Sequence, residues 1–87
     1  MIDTEFKVRR YIAEFLEPSG ELLAEYDLSS FELKEFQIEF GEWNTENPMF
    51  DCYQVNEENV EFLKKYISIE PEWDFSNKSY FVQAHGI

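Results

Sequence analysis

His85 and Cys52 are the only side chains in the 87-residue sequence that offer an imidazole or a thiol. An imidazole titrating near neutrality can serve as a general base, and a thiolate is a nucleophile or a soft metal ligand. Neither is well set for that work. His85 stands two residues before the end of the sequence, where chains fray unless tied down. Cys52 lies between Asp51 and Tyr53. An activated thiol needs positive charge nearby to lower its pKa, so Cys52 reads as a buried, inert cysteine. Two ligands fall short of the roughly four of a structural zinc site. A single cysteine builds no disulfide framework. Gly20, Gly41 and Gly86 are isolated, so no phosphate-cradling loop exists. The acids of residues 70–81 lack the spacing of a calcium loop. Carboxylate pairs are abundant, yet nineteen acids in 87 residues create them by chance. The expectation is a protein that is not an enzyme and carries no cofactor and no metal.

Binding chemistry fares better. Nineteen acids against seven bases give a net charge of −12, and nine Phe, five Tyr and two Trp supply the rings. Tyr, Trp and Phe are enriched at protein interfaces, and a strong negative field attracts a basic partner and speeds encounter. The sign of the charge argues against direct nucleic-acid binding, which needs cations to displace phosphate counterions. The aromatic content argues against an acidic disordered tail. No apolar run approaches the ~18 residues of a membrane helix, the start is polar without a signal-peptide core, and an unpaired cysteine suits a reducing compartment. A cytoplasmic protein with no membrane partner is expected, folded as one domain over residues 1–87.

The elements that would position a binding surface follow from turns and periodicity. Glu17-Pro18-Ser19-Gly20 is a turn signal, with Gly20 in the left-handed position of a three-residue loop. Residues 6–16 and 21–28 then form a hairpin. If Glu17 pairs with Glu21, Leu16 faces Leu22, Glu14 faces Ala24 and Ile12 faces Tyr26. Val8, Ile12, Leu16, Leu22, Ala24, Tyr26 and Leu28 make the core face. Arg9, Tyr11, Ala13, Phe15, Leu23, Glu25 and Asp27 make the other. A one-residue slip would exchange the two sets.

Ser29 with Glu32 fits a capping box. Leu33, Phe36 and Phe40 continue at helical spacing, Gly41 is a plausible stop, and Glu32, Glu35, Glu39 and Glu42 mark a solvated side. Residues 41–49 form a loop, and residues 50–55 alternate as a third strand. Asn56 caps a second helix, with Glu57 and Glu58 in its first turn and Val60, Leu63 and Ile67 as its stripe. Residues 79–84 make a fourth strand. The fold expected is α+β: a four-stranded, mainly antiparallel sheet in ββαβαβ order, with two short helices on one face. The open face would bring Glu25, Asp27 and Asp51 beside Tyr53, Tyr80 and Gln83, a ring-and-acid patch suited to a lysine- or arginine-rich partner. Trp43 and Trp73 stand in polar segments, either as interface rings or as caps on the core.

The second half adds a resemblance. Met49-Phe50-Asp51-Cys52-Tyr53-Gln54-Val55, then Leu63 and Tyr66, then Asp74-Phe75-Ser76-Asn77-Lys78-Ser79-Tyr80-Phe81-Val82 resembles the cloacin immunity family over roughly residues 50–86. These are small acidic proteins that protect bacteria from ribonuclease bacteriocins. The resemblance implies tight binding, through an acidic sheet surface, to the basic cytotoxic nuclease domain of a bacterial toxin, beside its active site. Family members can carry a specificity cysteine just before the Phe-Asp pair. Here Met49 holds that place and Cys52 follows the pair, so a contact-dependent inhibition toxin is equally open. The leading expectation is an immunity protein, monomeric until it meets its toxin. The alternative is a DNA mimic that inhibits a DNA-binding enzyme, which calls for carboxylates in phosphate-like rows.

Overall fold

The computed structural model describes residues 2–87. Its elements are β1 (Ile2–Asp3), β2 (Val8–Leu16), β3 (Glu21–Asp27), α1 (Leu33–Glu39), β4 (Tyr53–Val55), a 3-10 turn (Glu57–Asn59) leading into α2 (Val60–Leu63), and β5 (Lys78–Gly86). The class is α+β with an antiparallel sheet, as expected. There are five strands instead of four. The difference lies at one edge of β2. Its Val8 and Arg9 pair with Asp3 and Ile2, and its Tyr11–Leu16 stretch pairs with β3. Its other edge pairs with β5 along its whole length. β1 and β3 therefore share one edge, and the sheet is four strands wide with β4 on the far side of β5.

The hairpin register agrees with the expectation at Ile12–Tyr26 and Glu14–Ala24. Nearer the turn it differs: Leu16 pairs with Glu21 and Phe15 with Leu22, with a bulge after Glu14. The loop is one residue longer than expected, and Leu23 is the extra residue that restores register at Ala24. Gly20 takes a φ of 74°, which only glycine adopts without strain, and donates its N–H to the Leu16 carbonyl at 2.7 Å.

The core forms on one face of the sheet. Ile12, Val55, Tyr80 and Val82 meet Phe36 of α1 and Leu63 of α2, closed by Leu28 and Met49. Phe36 is 0% exposed, and the rings of Phe31, Phe40, Phe62 and Tyr66 lie within 6.0 Å of its centroid. Such edge and offset contacts add to the area that the rings bury.

The same strand face carries two charged residues that apolar patterning does not explain. Arg10 is buried over Phe31 at 4.0 Å, with Phe6 and Phe50 each at 5.7 Å. Its Nε donates to Asp3 Oδ2 and its Nη1 to the Met49 carbonyl, both at 3.1 Å. Burial lowers its pKa, against the pull of Asp3. Glu14 is 4% exposed, between Lys78 at 3.8 Å and the Tyr26 hydroxyl at 3.5 Å.

One helix start differs from expectation. Ser29 does not cap α1: its N–H and hydroxyl both donate to the Tyr66 carbonyl, at 2.7 and 3.1 Å. Leu28 still bridges Ile67 at that point, so the chain stays extended until Glu32, the N-cap. Ile67 thus serves a strand bridge and not the stripe of α2. Asn56 does begin the second helical segment, and its N–H donates to Asn59 Oδ1 at 2.8 Å. Among the described residues no helix is long and apolar enough to cross a membrane.

Candidate functional site

Two exposed surfaces compete as the site. The first is the open sheet face, opposite the helices. Strand pairing sets Tyr11 beside both Asp27 and Gln83, and Ala13 beside both Glu25 and Phe81. Arg9 runs through the acids. Its Nη1 reaches Glu25 Oε1 at 2.8 Å, its Nε donates to Asp27 Oδ1 at 2.7 Å, and its guanidinium lies 4.3 Å from the Tyr11 ring centre. Glu25 first, and Asp27 with it, hold the Arg9 pKa above its usual range. The Tyr11 hydroxyl donates to Gln83 Oε1 at 3.0 Å. Phe15 and Phe81 meet edge to face at 5.8 Å beside a shallow groove of about 270 Å³, whose lining includes Cys52 and Gln83. On this face Arg9 offsets one of two acid charges, and the rings of Phe15 and Phe81 make its centre apolar.

The expected constellation is therefore split. Glu25, Asp27 and Gln83 share the open face, but both acids are already paired with a cation. Tyr80 is 0% exposed on the opposite face and is a core residue, because it pairs with Glu14 and Val55 under the helices. Tyr53 is half-buried on that same side and pairs with Val82. Its hydroxyl donates to Glu42 Oε1 at 2.7 Å. Burial first, and Glu42 with it, push the Tyr53 pKa up to about 12. Asp51 is exposed on the approach to β4. Two further corrections concern the chemistry-bearing residues. Cys52 is exposed, standing just before β4 begins at Tyr53 and lining the shallow groove. His85 is not in a frayed tail but pairs with Arg9 within β5.

The second surface is the helix-and-loop side. Residues 32–74 hold twelve of the nineteen acids and three of the seven bases. Glu32, Glu35, Glu57, Glu58, Glu61, Glu70 and Glu72 are exposed there. The Lys64–Glu61 contact at 3.1 Å is the one ion pair within this stretch among the described residues. The acids lie close enough to act on neighbours: Glu35 and Glu32, after burial, raise the Tyr66 pKa.

The loop after α1 closes this surface. Glu42 is its hub, accepting from Tyr53 Oη at 2.7 Å, Asn47 Nδ2 at 2.9 Å and the Asn44 N–H at 3.2 Å. From beneath, the buried Gln37 amide donates toward the carbonyls of Asn47 at 2.8 Å and Thr45 at 3.2 Å. The loop's one large ring, Trp43, points away from all of this and is 85% exposed. Trp73 is the reverse case: it stacks on Phe75 at 5.7 Å, meets Tyr80 at 4.8 Å, and donates its indole N–H to Glu70. The sequence marked both tryptophans without separating a cap from a projecting ring. Gln37 and Glu42 carried no signal of their role, because helix-face polar residues ordinarily meet solvent.

Among the described residues no group of three or more His, Cys, Asp or Glu is placed to hold a metal. The sequence from residue 9 to residue 83 matches the family model described as "Domain of unknown function (DUF7683)". No curated protein matches the chain.

Proposed function

The chain belongs to the DUF7683 domain family, and we propose that it works as an inhibitory binding module, an immunity-type protein that engages the basic nuclease domain of a bacterial toxin in the cytoplasm. The observation that supports this is the uneven charge: residues 32–74 hold twelve acids against three bases, and nine of those acids are exposed. A nuclease surface that grips phosphates is lined with Lys and Arg. An opposing acidic surface steers encounter and fixes orientation. The inhibitor then occludes nucleic acid by bulk and field together, with no chemistry of its own. The likeness of residues 50–86 to the cloacin immunity pattern supports the same reading, moved from the sheet face to the helix side.

Co-expression tests it. The protein is produced in bacteria alongside a panel of ribonuclease- and deoxyribonuclease-type toxin domains, and growth is scored. Rescue from at least one toxin, with a one-to-one complex on size exclusion, is the expected result. Rescue should weaken in E35Q/E58Q/E61Q. Failure across the panel, or rescue indifferent to those charges, would overturn the reading. Displacement by duplex DNA of a captured DNA-binding enzyme would favour DNA mimicry instead.

A further inference from the structure

Among the described residues Trp43 is the most exposed large apolar side chain, and it stands well apart from the other aromatic rings. Ile69 follows at 75%, but the next most exposed ring, Phe50, is 46% exposed and meets Phe6 edge to face, while Trp43 is 85% exposed. An indole left in water forfeits the burial that its area would gain. A floppy loop would explain that trivially, but this loop is not built that way. Glu42, immediately before Trp43, is held by three donors, and Gln37 ties down carbonyls at Thr45 and Asn47 just beyond it. Asn44 Oδ1 accepts the Glu46 N–H at 3.0 Å, and Asn47 Oδ1 accepts the Met49 N–H at 2.8 Å, so the loop is fixed from within as well. Two of the supports, Gln37 and Tyr53, come from α1 and β4, the rigid scaffold.

We propose that Trp43 is the anchor by which the protein seats on an arginine-bearing surface of its basic protein partner. This rests on the reading of the partner as basic, and adds the residue and the contact. The surroundings of the ring fit a guanidinium. Glu46, on the same loop, and Asp51, on the approach to β4, are exposed carboxylates. Glu42 and Asp51 both act on the Tyr53 phenol, which places that negative charge at the base of the loop. Arginine stacks flat on indole and pairs with carboxylates in the same plane, and tryptophan is the best ring for that contact. A pre-ordered loop gives up little freedom on binding, which is what makes such a ring a centre of affinity.

The test uses the whole protein and a fluorescently labelled oligo-arginine peptide at about 0.15 M salt, where distant charges are largely screened. With W73F as background, Trp43 is the sole indole and its emission reports directly. Saturable quenching of Trp43 is expected. W43A should weaken peptide binding about tenfold, W43F should restore part of the loss, and W73F alone should change it less than twofold. An oligo-lysine peptide should lose less to W43A, because an ammonium does not stack. Because Trp43 is so exposed, W43A should melt with the wild type, which separates lost contact from lost fold. Binding unchanged in W43A but weakened in E35Q/E58Q/E61Q would overturn the anchor and leave the basic-partner reading standing. Binding indifferent to both variants, or absent, would overturn both.

Discussion

The two faces of the sheet solve the charge problem in opposite ways. On the open face, Glu25 and Asp27 sit on β3 directly across from β2, and Arg9 answers both. On the helix side, Lys64 answers Glu61 alone, the other exposed glutamates have no ion pair among the described residues, and the aromatic cluster beneath holds their backbones in place. The first arrangement consumes charge within the molecule; the second displays it. A high count of acids in a sequence is therefore a poor guide to where an acidic surface lies. What decides it is whether strand pairing or a helix face puts a base within reach.

The largest test of this contrast is structural. Phe36→Ala removes the ring on which Phe31, Phe40, Phe62 and Tyr66 converge, and should cost ~3–5 kcal/mol, measured by urea unfolding. That is much of the 5–15 kcal/mol typical of a whole domain. Phe81→Ala, on the half-covered open face, should cost clearly less. If the two are equal, the helices do not depend on their ring cluster as described. Next comes the charge itself. E35Q/E58Q/E61Q should slow association with a basic partner by on the order of tenfold, while Glu25→Gln, already neutralised by Arg9, should leave the rate nearly unchanged. Stopped-flow association at two salt concentrations measures both.

A pH titration sharpens the comparison from the side of the phenols. Tyr53 and Tyr80 are pushed up to about 12, chiefly by burial. A folded state that holds these protons more tightly is stabilised below the ordinary phenol pKa of ~10 and loses that stability as pH climbs from there toward 12. Absorbance at alkaline pH should show these two phenols ionising late, together with unfolding, and Tyr80→Phe should remove part of the alkaline loss. Arg9→Ala follows, at ~1 kcal/mol for a partly exposed network, shrinking in high salt. Smallest is Cys52→Ser, within ~0.5 kcal/mol, with Cys52 in the native protein reacting promptly with a thiol reagent. A thiol that reacts only after unfolding would return Cys52 to the interior.

These contrasts also mark what the sequence could and could not disclose. The hairpin, the α+β class and both helical segments were legible, because Gly20, the alternation of β2 and the spacing of Leu33, Phe36 and Phe40 are local signals. The bulge at Leu23 was not, since loop length and register compensate each other. Ser29 has the chemistry of a cap, but the Leu28–Ile67 bridge, a contact across thirty-nine positions, claimed it first. Tyr80 read as a surface ring because alternation says which residues share a face and not which face the helices cover. Arg10 and Glu14 were invisible as interior residues, because their burial depends on Asp3, Lys78 and three phenylalanines gathered from across the chain. At the candidate site, the acids and Trp43 were visible as residues, but the Gln37 and Glu42 ties that give them geometry were not.

The pairing of β2 with β5 along their full lengths has a consequence for how the molecule comes into being. The middle of the sheet joins residues more than sixty positions apart. During synthesis, the β2–β3 hairpin can close early, but the long free edge of β2 has no partner until β5 emerges. Contacts this distant in sequence slow folding, so the nascent chain carries an unpaired strand edge for most of its translation. Deleting β5 would then leave a hairpin and two stray helical turns, and not a smaller version of the same protein.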